Sequence, residues 1–341
     1  MPQQWIVLFD GTGNQPDDDT NVTEIHQSIE GDDAWRKDHV FYDRGVGTEF
    51  VGKFSGLATG RGLSENVEQG FKFLAERYTP GDQIFVFGFS RGAYTARSLV
   101  GLISKVGILR KGDGQLVHAA YNIYRNKDLS GSAPVVQEFR HDHSHPYEQT
   151  RVRFVGVWDT VGALGIPWHL SILPLGRDDF SWHNTDLSPL VDYAYHACAI
   201  DEHREDFDVT LWTKAQPQNI GVEQRWFPGA HCNVGGGYGP TDRLPSKPLR
   251  WMQDMAQNAG LKFKQLVEVH PDAYRAPIRD SFREFLGGLY AAKRLGRPFY
   301  RAHRDGVNQI IDESAWLRWG QDATYRPPFL QGLTPVATAV V

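Results

Sequence analysis

The sequence predicts an α/β protein with a mostly parallel central sheet flanked by helices, and with loop and helical insertions near its functional site. Two observations predict this class. Short apolar runs alternate with helix-like stretches through the first half of the chain, which is typical of a parallel sheet. The pentapeptide GFSRG at residues 88–92 then separates an apolar run from a helix-like stretch, as a sharp strand-to-helix turn does.

The expected strands are short apolar runs bounded by glycine, proline or polar residues. They cover residues 5–9, 40–42, 84–87, 151–158 and 224–227. The expected helices have apolar residues at helical spacing, and they cover residues 63–78, 93–103 and 188–200. In the last of these, Ser188 is placed to cap the helix and Pro189 to occupy its first turn. The glycine-rich residues 45–62 are expected to form a loop.

Two polar segments raise the question of a metal site. Residues 111–150 contain histidines at positions 141, 143 and 145, and residues 17–19 are three consecutive aspartates. For both segments a solvated loop is the expectation. Metal binding by the histidines and calcium binding by the aspartates are the alternatives.

The chain beyond residue 248 is expected to be helical. Within it, the aromatic and basic residues 282–300 predict a helix packed on the sheet, with a lid or a contact with a membrane surface as alternatives. No internal repeat or linker divides the sequence. Residues 1–341 are therefore expected to form a single catalytic domain, in which residues 250–341 are a mainly helical part packed on the rest.

Composition excludes some classes of partner. The 341-residue chain has a formal net charge of −5, so no nucleic-acid partner is expected. Two cysteines, Cys198 and Cys232, are too few for a disulfide scaffold; buried thiols are expected, with one disulfide as the alternative. The sequence shows neither a signal peptide nor an apolar stretch of membrane-spanning length. It predicts a cytoplasmic protein, with export that needs no cleavable signal as the alternative.

Ser90 is the candidate nucleophile. It lies at the centre of the GFSRG motif, where a nucleophile elbow would present its hydroxyl above the sheet. Such a turn is strained and closely packed, so Gly88 and Gly92 are expected to support it by avoiding clashes on either side of the serine. An ordinary tight turn is the alternative. This elbow, on a parallel sheet, predicts an α/β-hydrolase fold.

A serine hydroxyl needs a general base and a carboxylate that orients the base. Asp159 fits the acid because it ends an apolar strand and precedes a glycine-containing turn; helix capping is its alternative role. His231 fits the base because it follows a strand and enters a glycine-rich loop. His196 and His203 are the alternative bases.

The oxyanion of the tetrahedral intermediate needs two donors. One is expected to be the amide of Arg91, which follows the nucleophile. The second is expected from the loop after the first strand, as the amide of Gly11 or Thr12, with Asp10 holding that loop by hydrogen bonds. Phosphate binding by this loop is the alternative, although the lysine of a nucleotide-binding motif is missing.

Four segments together resemble the DUF2235 family, the catalytic domain found in type VI secretion phospholipase effectors. They are LFDGTGN at residues 8–14, GFSRGA at 88–93, VWDTVG at 157–162 and WFPGAHCNVGGGY at 226–238. Residues 196–207, which include Glu202 and Arg204, are also similar to a family segment. The resemblance spans roughly residues 4 to 250. It implies an α/β-hydrolase fold, hydrolysis of phospholipid esters, and Ser90, Asp159 and His231 as the catalytic serine, aspartate and histidine.

The sequence thus predicts a serine ester hydrolase of lipase or phospholipase type that works through an acyl-enzyme. Its expected partner is a lipid or other ester substrate, with transient contact to a membrane surface, and the chemistry requires no metal and no organic cofactor. A carboxylesterase or a polyester-cleaving enzyme is the alternative. From other classes, a binding module without catalysis and a metal-dependent phosphoryl hydrolase are weaker hypotheses.

Overall fold

Seven parallel strands form the centre of the protein. The computed structural model describes residues 2–11, 19–45, 60–162 and 185–335. Within them one sheet has the order β2-β1-β3-β4-β5-β6-β7. The strands are β1 (Gln4–Phe9), β2 (Val40–Asp43), β3 (Gln83–Phe89), β4 (Val152–Trp158), β5 (Val191–Ala199), β6 (Gly221–Phe227) and β7 (Gln309–Ile311).

Helices cover both faces of this sheet. They are α1 (Asn21–Ser28), α2 (Asp33–His39), α3 (Gly60–Arg77), α4 (Arg91–Val106), α5 (Val117–Arg125), α6 (Pro134–His143), α7 (His231–Gly235), α8 (Ser246–Asn258), α9 (Ser281–Glu284), α10 (Leu289–Lys293) and α11 (Glu313–Gln321). One apolar core joins the sheet to α3, α4 and α5. A second core on the opposite face joins it to α1 and α8. In the described part of the chain, no helix combines the length and apolar character needed to cross a membrane.

The strand order has a switch point between β1 and β3. β1 lies between β2 and β3, and every pairing along the sheet is parallel. The chain therefore leaves β1 toward one edge and β3 toward the other. In open parallel sheets, ligands bind beyond the carboxyl ends of the two strands at such a switch point. Asp10 follows β1 at this place and Ser90 follows β3.

The structure confirms the α/β class and the predicted parallel sheet. The helix predicted at residues 188–200 is wrong, because β5 occupies Val191–Ala199. This strand is buried on both faces, so it lacks the polar and apolar alternation that identifies a half-exposed strand. Ser188 and Pro189 form the turn before it, in which the Ser188 hydroxyl accepts a hydrogen bond from the Leu190 amide.

The expectation of a solvated loop at residues 111–150 is also wrong in part, since this segment holds α5 and α6. In α6 only Val136 is buried, so the helix is mostly polar and its sequence resembles a loop. Residues 282–300 do not form one helix either. The pair Gly287 and Gly288, both with positive φ, separates α9 from α10.

The elbow after β3 is packed too closely for side chains beside the serine. A Cβ on Gly92 would overlap the backbone carbonyl of Phe9 at the end of β1, and a Cβ on Gly88 would overlap the backbone of Gly92. Backbone atoms cannot rotate away as a flexible side chain can. These two glycines therefore let α4 start directly against the ends of β1 and β3, where the switch point lies.

Replacement of Gly92 by alanine should lower the free energy of unfolding by about 1–3 kcal/mol or more, because the new methyl group overlaps backbone. Gly320→Ala is the matched control. Gly320 also lies in a helix, but nothing stands within 4 Å of the position its Cβ would take. It should stabilise the protein by up to about 1 kcal/mol. Denaturant unfolding measures both, and equal stability of the two variants would contradict the packing described here.

Candidate active site

Ser90 occupies a strained position at the tip of the elbow. Its φ of 59° and ψ of −123° lie outside the regions that residues with a side chain prefer. The strand ladder holds this backbone in place, since the Ser90 amide donates to the carbonyl of Trp158 on β4 at 3.1 Å. The side chain lies at the carboxyl end of β3 and at the amino end of α4.

His231 lies between Ser90 and Asp159. Its Nε2 is 2.8 Å from the Oγ of Ser90, and its Nδ1 is 2.6 Å from Oδ2 of Asp159. With Nδ1 protonated, the ring donates to the aspartate and accepts the serine proton at Nε2. The rings of Phe89 and Phe207 both pack against the imidazole, with centroids 4.6 and 5.3 Å from that of His231. The structure thus brings the three predicted triad residues together in one hydrogen-bonded chain.

The glycine-rich loop after His231 makes room for this packing. A Cβ on Gly235 would overlap the ring of Phe89, which contacts the imidazole. Gly236 has a φ of 84° and its amide donates to the carbonyl of Cys232, which ends the short helix α7. The glycines therefore let α7 seat His231 directly over the elbow strand.

Asp159 is fully buried and is held from several directions. Its φ of 38° is strained, and its amide continues the strand ladder by donating to the carbonyl of Ala197 on β5 at 2.7 Å. Oδ1 accepts from the Ala199 amide at 2.9 Å. The guanidinium of Arg301 donates to both carboxylate oxygens, at 2.6 and 2.9 Å. Arg301 is itself 2% exposed, so the pair forms a buried, bidentate salt bridge.

This environment shifts the titration of both groups. Burial would raise the pKa of Asp159, but the charge of Arg301 and the hydrogen bonds from His231 and Arg301 outweigh burial and hold the pKa well below its usual range. Burial also lowers the pKa of His231, and its hydrogen bond to Asp159 offsets only part of that effect. Asp159 is therefore ionised, and the imidazole is neutral, as a general base must be.

A second buried ion pair supports the His231 backbone. Glu202, which is fully buried, accepts from the amide of His231 at 3.2 Å and from Nε of Arg204 at 2.8 Å. It also accepts from the hydroxyl of Ser281 at 3.0 Å. Burial would raise the pKa of Glu202, but the charge and hydrogen bonds of Arg204 outweigh it and lower the pKa to about 2. The start of α7 is thus fixed by a charged group.

Asp10 forms the hydrogen-bonded hub that the sequence predicted for the loop after β1. Its Oδ2 accepts from the hydroxyls of Thr20 and Tyr42, at 2.6 and 2.9 Å. Its Oδ1 accepts from the amide of Gly11 at 2.6 Å, so this amide would have to leave Asp10 to bind an oxyanion. Thr12, the other predicted donor from this loop, lies outside the described residues. Arg91 is the first residue of α4, where helix amides point out of the N-terminus.

The alternative histidines lie elsewhere. His196 is on β5, fully buried, and its Nε2 accepts from the amide of Thr160 at 3.1 Å. Burial and the charge of Arg97 lower its pKa to about 3, so it is a neutral structural group. His203 has its Nδ1 2.9 Å from the carbonyl of Phe299. Neither histidine is hydrogen-bonded to Ser90.

Other residues from the sequence analysis can also be placed. Both cysteines are free thiols, Cys198 buried and Cys232 partly so. His141 and His143 lie in the last turn of α6. Asp17 and Asp18, like most of residues 45–62, lie outside the described part of the chain.

Arg301 is the residue of this site that sequence reasoning missed. It lies in a basic run, residues 293–304, that resembles an exposed patch, and more than 140 positions separate it from Asp159. Nothing in the local pattern marks one arginine of that run as buried. Glu202 and Arg204 could be noticed only as part of a segment that is similar to the family.

Comparison with known proteins relates the chain to one family. Residues 3–255 match the family model described as "T6SS, Phospholipase effector Tle1-like, catalytic domain". The chain is also similar to uncharacterized protein YEL023C of Saccharomyces cerevisiae, with 28% identity over 235 residues, which cover 61% of this chain. It spans only 32% of the length of that curated relative.

Two solved structures are similar as well. An uncharacterized protein from Pseudomonas aeruginosa has a TM-score of 0.49 and 18% identity, and the match covers 80% of this chain and 48% of that one. The Tle1 effector bound to the VgrG spike from the type 6 secretion system has a TM-score of 0.44 and 16% identity, with 89% and 82% covered.

Glu202→Gln should destabilise the protein by roughly 3–5 kcal/mol at pH 7, because it leaves the Arg204 charge buried without a counter-ion. The pKa of Glu202 is lowered in the folded state, so its stabilisation is complete above its unfolded pKa near 4.5 and is lost as the pH falls toward about 2. The stability gap between wild type and variant should therefore shrink over that interval.

Urea unfolding at a series of pH values measures this gap. The control is Glu205→Gln, which removes an exposed partner of Arg294 and should cost no more than about 1 kcal/mol. A gap that is the same at pH 7 and pH 3 would show that the Glu202 charge does not support the fold.

Proposed function

We propose that this chain, which belongs to the family of Tle1-like phospholipase effector catalytic domains, is a hydrolase of lipase or phospholipase type. In this proposal it cleaves carboxylic ester bonds of lipids through an acyl-enzyme on Ser90. The observation that carries this proposal is the chain from Ser90 Oγ to His231 Nε2, at 2.8 Å, and from His231 Nδ1 to Asp159, at 2.6 Å. Proton transfer needs this contact distance, and the strained elbow presents the nucleophile to it.

In the first step, Ser90 Oγ attacks the ester carbonyl while His231 Nε2 takes the hydroxyl proton. The resulting imidazolium is stabilised by Asp159, whose carboxylate stays ionised. The tetrahedral intermediate then expels the alcohol, which receives the proton from His231. This leaves the acyl group on Ser90 as an ester.

In the second step, His231 takes a proton from a water molecule that attacks the acyl ester. The new tetrahedral intermediate collapses, the carboxylic acid leaves, and Ser90 Oγ regains its proton from the imidazolium. All proton transfers use one histidine, so the chemistry needs neither a metal nor an organic cofactor.

The developing oxyanion is assigned to the amide of Arg91 and to a second amide from the loop after β1, at Gly11 or Thr12. Arg91 fits because first-turn amides at a helix N-terminus carry partial positive charge. The Gly11 amide fits only if substrate binding draws it away from Asp10. Asp10 itself lies next to the elbow, since a Cβ on Gly92 would overlap its carbonyl oxygen.

Ser90→Ala should reduce ester turnover by about 10⁴-fold or more and should leave the fold intact, because alanine keeps the backbone and removes only the nucleophile. The matched control is Ser98→Ala, which removes another buried serine hydroxyl about 12 Å further along α4 and should retain activity. Labelling with a fluorophosphonate should modify wild type and Ser98→Ala but not Ser90→Ala. Undiminished turnover by Ser90→Ala would exclude Ser90 as the nucleophile.

The lipid assignment is tested with a substrate panel of p-nitrophenyl esters of short and long acids, a triglyceride emulsion and phospholipid vesicles, each with and without calcium. Ser90-dependent release of fatty acid from the vesicles is expected. Turnover confined to short soluble esters would instead identify a carboxylesterase, and turnover that needs added metal would favour phosphoryl chemistry.

A further inference from the structure

Arg301 contacts three separate parts of the active site. Its Nη1 donates to Oδ1 of Asp159 and to the carbonyl of Ala199, both at 2.6 Å. Its Nη2 donates to Oδ2 of Asp159 at 2.9 Å and to the carbonyl of Phe207 at 2.6 Å. The ring of Phe207 packs against His231. One guanidinium therefore contacts the candidate acid, the end of β5 and the residue whose ring packs against the candidate base.

The residue comes from a part of the chain that the family match does not cover. The match ends at residue 255, and Arg301 follows α10 in the C-terminal segment. Backbone hydrogen bonds fasten this segment to the site, since the Phe299 amide donates to the carbonyl of His203 at 3.0 Å. Arg301 thus reaches Asp159 from a segment outside the matched residues.

We propose that Arg301 is a positioning residue that fixes the carboxylate of Asp159 and weakens the proton affinity of His231, so that the base stays neutral into more acidic solution. This inference rests on the proposed function, in which His231 takes the serine proton. A carboxylate with one hydrogen-bonded histidine favours the imidazolium strongly. The second, positive partner compensates part of that charge and opposes protonation of the ring.

The two roles act in opposite directions on activity. Orientation of Asp159 helps catalysis at every pH, because it holds the imidazole in the tautomer that can accept the serine proton. The positive charge of Arg301 makes Asp159 stabilise the imidazolium less strongly. In the resting enzyme, however, the same charge keeps His231 unprotonated and able to act as a base. Loss of Arg301 should therefore lower the rate and also move the acid side of the pH profile.

The other charged groups near His231 and Arg301 stay in place when Arg301 is replaced. Arg204 lowers the pKa of His231 and Glu202 raises it, and these two groups pair with each other. Asp208 faces Arg301, with its Oδ1 3.9 Å from Nε. A difference between wild type and an Arg301 variant therefore reports the effect of Arg301 itself. Three further titratable groups around Asp159 stay neutral near pH 6. Burial raises the pKa of the Cys198 and Cys232 thiols, and burial lowers the pKa of the His196 imidazole.

The test is the pH dependence of kcat/KM on a soluble p-nitrophenyl ester for wild type, Arg301→Gln and Arg301→Lys. With Arg301→Gln, kcat should fall, KM should change little, and the acid limb should move up by roughly one pH unit or more. Arg301→Lys keeps the charge without the bidentate geometry, so its limb should stay near that of wild type while kcat falls. Arg297→Gln, which replaces an exposed arginine of the same segment, should resemble wild type.

A folded Arg301→Gln protein with the acid limb of wild type would overturn the proposal, because a purely structural role lowers the rate without moving the limb. A second measurement needs neither activity nor a tolerated substitution. NMR titration of the His231 imidazole in wild type should give a midpoint below 6.5, and a midpoint above that value contradicts the inference even if the glutamine variant does not fold. Absence of Ser90-dependent turnover would instead count against the proposed function and leave this titration interpretable.

Discussion

The carboxylate of Asp159 is the constraint on which the rest of the site depends. A charge that is fully buried is costly unless it is paired and hydrogen-bonded. Here the Ala199 amide, the imidazole of His231 and the guanidinium of Arg301 satisfy it. Each partner comes from a different element, so the carboxylate fixes the end of β5, α7 and the C-terminal segment relative to one another. The same contacts that stabilise the charge also orient the base.

The fold supplies the nucleophile by a separate route. The strand order reverses between β1 and β3, and the elbow places Ser90 at the carboxyl end of β3, beside this switch point. Ser90 and Asp159 both have strained backbone conformations with positive φ. Hydrogen bonds that continue the strand ladder maintain them, from the Ser90 amide to the Trp158 carbonyl and from the Asp159 amide to the Ala197 carbonyl. The sheet therefore sets the spacing between nucleophile and acid, and the glycine-rich loop seats His231 between them.

Sequence reasoning reached the parts of this site that are encoded locally. An elbow, a strand that ends in aspartate and a histidine before consecutive glycines are short patterns, and each reflects a backbone demand at that position. Arg301 could not be found in this way, because its role arises from a contact across 142 positions and its neighbours in sequence resemble a surface patch. Strand β5 was mistaken for a helix for a related reason: burial on both faces removes the periodicity that distinguishes the two.

The most direct test of the account is detection of the acyl-enzyme itself. Purified protein would be mixed with a phospholipid or a p-nitrophenyl ester and quenched within milliseconds, and its peptides would then be mapped by mass spectrometry. The account predicts an acyl adduct on Ser90 that forms with a burst of alcohol release and disappears on longer incubation. Ester turnover with no adduct on Ser90, or with an adduct on another residue, would contradict it.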